Sequence, residues 1–336
     1  MRSNRIFIYK AIKYYELAAN NGHPEAALKL SEIFEFGIGV EKNDSIAEKW
    51  ASLKLKPLSF KNQLQKENWS ELKAVKLSRV DNIIKSNSKS YDINEFGTYH
   101  ALIIGNNDYK NLRNLKTAVF DAETIEKILR DNFGFKTKLL KNGTRSEILD
   151  NLYQYRKTLS EDDNLLIYYA GHGYLDEEIN KGYWQPVDAD PDRKSNWISN
   201  ADVVDELRAI KAKHILLVAD SCFAGSLTRG VSFSPESENM NQEWIEKIRL
   251  LKTRRVLTSG NLEPVTDEGF DGHSVFAYHF IKALNNVDDL VTGDEIFFGI
   301  KNDIQLNADQ TPLYDHIKNV GTKNEGDFIF VKRNGG

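Results

Sequence analysis

The chain contains a single cysteine, Cys222, and it follows directly on an apolar run: HILLVA leads into Asp220-Ser221-Cys222-Phe223-Ala224-Gly225. A second apolar run, NLLIYYA, leads into Gly171-His172-Gly173, which sets an imidazole between two glycines in the same kind of position. The six other histidines have no such setting. A thiol beside an imidazole is a nucleophile beside a base, the pairing needed for acyl transfer through a thioester. Taken singly, each residue has a plain explanation: a cysteine after a strand is commonly a small buried hydrophobe, and a histidine is commonly a hydrogen-bonding group of the core or surface. Both at strand ends, both with glycine close by, they point together to chemistry.

For the two side chains to meet, their strands must be neighbours in a parallel sheet, where the loops leaving the carboxyl ends form the crevice. From Tyr99 onward short apolar runs do alternate with helical stretches, the pattern of βαβ units. The runs are YHALIIG, FKTKLL, NLLIYYAG, HILLVAD, RRVLTSG and a last FIFV, six strands in all. Helical periodicity is expected over 118–132, 146–159, 200–210 and 275–284. Upstream, from Lys10 to about Leu55, apolar residues recur at helical spacing, with small residues Ala18, Ala19, Ala26 and Ala27 where two helices would approach closely. The segment YYELAANNGHPEAALKLSEIFEFGIGVEKNDSIAEKW resembles a Sel1-like repeat, a relative of the tetratricopeptide repeat. Residues 57–97 are Lys-, Ser- and Asn-rich and read as a partly helical connector.

The pair of strand-AGHG and strand-ADSCFAG resembles the catalytic core of caspase-like cysteine peptidases, particularly metacaspases and their bacterial relatives. The separation of fifty residues from His172 to Cys222 is close to caspase spacing. YHALIIGNNDY, LKTAVFDAETIEKIL, RRVLTSG, GHSVFAYHF, QTPLYDHIKN and GDFIF resemble further segments of the family, so the likeness runs from about Tyr99 to Val331. It implies an α/β chain: a caspase-like fold with about six mainly parallel strands flanked by helices, preceded by a small α-helical Sel1-like unit. The expected boundaries are 1–56 for the repeat, 57–97 for the connector and 98–333 for the peptidase domain. It also implies that His172 is the base, Cys222 the nucleophile, and backbone N–H groups near Gly173 and Cys222 the oxyanion site, where glycine permits close approach. No third catalytic side chain stands out, and no cofactor is required.

Caspases that cut after aspartate have a glutamine where this chain has Asp220. Asp121 in AVFDAE matches the acidic position that metacaspases supply from their first helix region. Two carboxylates in one pocket would attract Arg or Lys and repel an acidic side chain. Read without the resemblance, Asp121 is a surface helix residue and Asp220 a loop-capping carboxylate. The resemblance further implies a peptide-docking edge around Glu263, Pro264, Val265 and Thr266, and a processing loop after the nucleophile in which Arg229 is a candidate self-cleavage site. Asp188, Asp190 and Asp192 alternate as calcium ligands do, but Arg193 and Ser199 stand at the sixth and twelfth positions, so this is no EF-hand and calcium activation is not predicted.

Composition bounds the alternatives. A net charge of -4 with Lys and Arg spread along the chain gives no broad basic face, and nucleic-acid binding is not expected. No apolar run reaches membrane-spanning length and the N-terminus lacks a secretory pattern, so a cytoplasmic protein without a membrane partner is expected. A cysteine phosphatase needs arginine six positions after the thiol; Thr228 is there and Arg229 is one too far. No glycine-rich phosphate loop is present. The partners expected are a protein or peptide substrate and a protein bound through the Sel1-like region. The resemblance implies a stress, cell-death or defence role; the non-enzyme alternative is a caspase-like scaffold.

Overall fold

The computed structural model describes residues 15, 24–36, 42–54, 93–221, 242–260, 269–318, 320 and 326–333. The chain divides into two compact units, Met1–Ser90 and Tyr91–Gly336.

In the first unit, α1 (Pro24–Phe36) starts on a proline, whose missing N–H costs nothing in the first turn. It is followed by α2 (Asp44–Lys54), whose entry is held by Asn43 Oδ1 accepting from Ile46 N at 3.0 Å. Ala27, Leu30, Ala47 and Trp50 are buried between and around the two helices, the spacing that the sequence assigns to one helical face.

The second unit runs β1 (Thr98–Gly105), α3 (Ala118–Phe133), β2 (Lys136–Lys141), α4 (Arg145–Thr158), β3 (Asp163–Ala170), β4 (Gly173–Asp176), β5 (Lys181–Trp184), β6 (Ile198–Ser199), α5 (Asn200–Ala209), β7 (His214–Asp220), α6 (Gln242–Leu250), β8 (Thr253–Thr258), α7 (Val275–Asn285), β9 (Leu290–Thr292), α8 (Gly293–Asn307), β10 (Leu313–His316) and β11 (Ile329–Val331). Six strands form the main sheet in the order β10-β8-β7-β3-β1-β2. All its pairings are parallel except β10 with β8, which is antiparallel. The central strands carry continuous apolar runs, LLIYYA in β3 and ILLVA in β7, because both faces are covered. On one face Ile103, Leu166, Tyr168, Val218 and Leu257 meet α3, α6, α7 and α8. On the other, Ile104, Ile167, Tyr169, Leu217 and Val256 meet α4 and α5. Thr144, Ser199 and Thr292 open α4, α5 and α8 with reciprocal capping boxes.

The expected count of six strands holds for the main sheet, but its membership differs. The FIFV run forms β11 in a separate two-stranded sheet with β9, and the sixth place belongs to β10 from the QTPLYDH stretch. An all-apolar run states only that a strand is buried on both sides, not which sheet takes it. The three-stranded sheet β4-β5-β6 directly after His172, and helices α6 and α8, have no counterpart among the elements read from sequence. The turn Ile93–Phe96, in the segment read as connector, places Phe96 in the core below β1, with Asn164 Nδ2 donating to its carbonyl at 2.6 Å. No described helix is long and apolar enough to cross a membrane.

Candidate active site

The two apolar runs that carry the chemistry are β3 and β7, and they are adjacent. Their register pairs Ala170 with Asp220, and Gly171 N approaches Asp220 O at 3.4 Å. His172 therefore leaves the sheet beside the point where β7 ends. Ser221, the residue after β7, is buried. Cys222, Arg229, Glu263, Pro264, Val265 and Thr266 lie outside the described residues.

His172 is held at three points. Its N–H donates to Tyr109 Oη at 2.7 Å, its carbonyl accepts from Tyr169 Oη at 2.8 Å, and its Nε2 lies 2.7 Å from the carbonyl oxygen of Arg113. The Tyr109 ring leans on the imidazole with centroids 4.6 Å apart. A carbonyl can only accept, so Nε2 carries the hydrogen, and in the neutral ring Nδ1 is the basic nitrogen. This assignment follows from hydrogen-bond accounting. A ring so held can take a proton at Nδ1 and pass it on. Gly173, the residue after His172, opens β4 and turns the chain into the three-stranded sheet.

Asp121 and Asp220 reach one another's neighbourhood from opposite directions. Asp121 stands in the first turn of α3 and is wholly buried; Asp220 ends β7 and is 5% exposed. Both are engaged by consecutive residues at the start of α7. His273 Nδ1 lies 2.6 Å from Asp121 Oδ1, Ser274 N donates to Asp121 Oδ2 at 3.3 Å, and Ser274 Oγ donates to Asp220 Oδ2 at 2.6 Å. Ser274 Oγ also accepts from Ala277 N at 2.9 Å and so caps the helix. The outer side of His273 is covered by Phe120, stacked at 4.6 Å and 10° while itself 47% exposed. Tyr168 lies on β3, beside the strand that ends in Asp220, and its phenol is pushed far above its ordinary pKa by burial first and then by the charges of Asp220 and Asp121. Among the described residues its buried hydroxyl has no hydrogen-bond partner.

The carboxylates of Asp188 and Asp190 are engaged by backbone N–H groups. Asp188 Oδ1 accepts from Arg145 N at 2.8 Å and Asp190 Oδ1 from Asp192 N at 2.9 Å. Among the described residues no group of three or more His, Cys, Asp or Glu is arranged to hold a metal.

Sequence reasoning therefore names His172, Asp121 and Asp220 but not what holds them. The Arg113 carbonyl carries no side-chain signal. Tyr109, Tyr169, His273 and Ser274 all fall inside segments singled out for strands or resemblance, yet their roles need the helices and loops to be placed.

The caspase domain family model matches residues 98–317, and the Sel1 repeat model matches residues 8–23 and 24–53. Human mucosa-associated lymphoid tissue lymphoma translocation protein 1 is 28% identical over 123 residues, 36% of this chain and 15% of that protein. Its mouse homologue is 28% identical over 123 residues, 36% of this chain and 14% of that protein. The match thus spans about one seventh of the length of these relatives. The crystal structure of caspase-1 from Spodoptera frugiperda is similar in fold, with a TM-score of 0.52 and 15% identity over 73% of this chain and 94% of that one.

Proposed function

This chain belongs to the caspase-domain peptidase family, and from that premise we propose that it is a cysteine endopeptidase with Cys222 as nucleophile and His172 as base. The observation that carries the proposal is the register of β3 and β7: His172 and Cys222 each stand two residues beyond a directly paired position, Ala170 and Asp220. Cys222 gives up its proton to His172 Nδ1 and attacks the scissile carbonyl. The tetrahedral oxyanion is held by backbone N–H groups of Gly173 and Cys222. His172 protonates the departing amine, and water then hydrolyses the thioester and frees the thiol. No cofactor enters these steps.

The pocket is proposed to take Arg or Lys on the acyl side of the cut. Two buried carboxylates meeting at His273 and Ser274 supply negative charge and acceptors. A substrate aspartate there would face two like charges in a water-poor site, a cost of several kcal/mol. The peptide is expected to lie as an added strand along Glu263, Pro264, Val265 and Thr266, and the chain to process itself after Arg229. The Sel1-like region is the proposed contact for a protein partner.

Fluorogenic peptides ending in Arg, Lys and Asp, tested on wild type and Cys222→Ala, decide the reading. Turnover of the basic peptides that disappears in Cys222→Ala is expected. No turnover of any of them would leave a caspase-like scaffold. Intact-mass measurement of both proteins tests Arg229: equal masses would exclude self-processing.

A further inference from the structure

The backbone of His172 is held on both sides by tyrosine hydroxyls. Its N–H donates to Tyr109 Oη at 2.7 Å and its carbonyl accepts from Tyr169 Oη at 2.8 Å. Each phenol has a single proton. That of Tyr169 is directed at His172 O, shared with Gln185 O at 3.1 Å.

Both tyrosines are rigidly mounted. Tyr169 belongs to β3, is wholly buried and stacks on Trp184 at 4.3 Å and 8°. Tyr109 is 7% exposed, and its own N–H donates to Asn114 Oδ1 at 2.9 Å. Arg113, whose carbonyl meets the imidazole Nε2, belongs to the same loop as Tyr109. One loop thus holds both the peptide and the ring of His172. Gly171 makes room for this: a Cβ there would lie 2.7 Å from Tyr109 Oη and 2.9 Å from Tyr169 Oη. Room for the two hydroxyls, rather than backbone conformation, requires glycine before the histidine.

We propose that Tyr109 and Tyr169 are positioning residues that fix the His172 ring for proton transfer at Nδ1. The role rests on the peptidase reading of this site. Phenylalanine at either position keeps the ring packing and removes one of the two hydroxyl bonds to the His172 backbone.

The test combines steady-state kinetics on an Arg-ending peptide with NMR of the imidazole nitrogens in 15N-histidine-labelled full-length protein. Tyr109→Phe is expected to lower kcat about tenfold with KM unchanged, the size of loss that follows a slightly misplaced reacting group, and to shift the His172 ring signals. Tyr169→Phe gives the same signature. Wild-type kcat with unmoved ring signals in both single variants overturns the proposal. Were wild type inert on all peptides, the peptidase reading would fall, and the ring signals alone would decide: unmoved in both variants, they overturn the positioning role too. Gly171→Ala, which wedges the hydroxyls apart, serves if a Phe variant does not fold.

Discussion

His273 Nδ1 lies 2.6 Å from Asp121 Oδ1, so an imidazole at the start of α7 holds a carboxylate in the first turn of α3. The pair joins two segments 152 positions apart, and the next residue, Ser274, ties in Asp220. Both carboxylates of the proposed pocket are therefore engaged by two consecutive residues, His273 and Ser274.

His273→Ala removes one of the two partners of Asp121 and the surface on which Phe120 stacks. A hydrogen bond to a charged group contributes about 1.5–3 kcal/mol. The expected outcome is a lower thermal midpoint and a raised KM for Arg-ending peptides, with kcat less affected. Calorimetry and initial-rate kinetics on the same preparation check it; an unchanged KM would free His273 from any part in the pocket.

Asp220→Asn keeps the shape and the bond from Ser274 but removes a charge. Selectivity for an Arg-ending peptide over its citrulline counterpart should fall about a hundredfold, on the scale of one lost charge contact in a low-dielectric site. A ratio of kcat/KM values that stays at the wild-type level would contradict the basic pocket.

Arg254 is 1% exposed and has no carboxylate partner among the described residues. It donates instead to the carbonyls of Leu207, Ile210, Lys213 and Thr253 at 2.8–3.2 Å, closing the carboxyl end of α5, and burial lowers its pKa to about 10. Arg254→Met fills the volume but abandons these acceptors, at a cost of about 3 kcal/mol or more, since each buried orphan costs about 1–3 kcal/mol. Urea denaturation should show a lower midpoint at an unchanged slope.

His214, buried at the start of β7, has its pKa lowered from 6.5 to about 4 by burial. The unfolded chain therefore binds a proton more readily than the folded one between these values. Its contribution is fully present above pH 6.5 and is lost as pH falls towards 4, in total about 3 kcal/mol at 1.36 kcal/mol per pKa unit. Equilibrium unfolding across pH 4–7 should show this slope, and His214→Phe should flatten it.

Much of the fold was legible because its central strands are long and apolar and its helices keep a clear amphipathic period. HILLVAD was read to the residue as β7, and helix 118–132 ends within one residue of α3. The legible part of the site was the part written in side chains at strand ends: His172, Asp121 and Asp220. The illegible part was written in contacts. Arg254 in RRVLTSG looks like any polar residue near a strand end until α5 is placed above it. His273 in GHSVF is one histidine among seven until α7 is set against α3. A carbonyl such as that of Arg113 is offered by every residue, so no pattern can mark it. The exchange of FIFV for LYDH at the sheet edge has a similar cause, since a four-residue strand with two polar members is weaker in pattern than a purely apolar run.

The position of β3 and β7 in the strand order has one more consequence. They are the inner pair of six, each hydrogen-bonded on both sides, while β10 and β2 stand at the ends. Local opening begins where fewest bonds must break. Amides of β10 and β2 should trade their hydrogens for deuterium through fraying, whereas those of Tyr168, Tyr169, Val218 and Ala219 should exchange only when the whole unit opens. The backbone that places the His172 and Asp220 strand ends would thus persist through partial loosening of the sheet and fail only with global unfolding.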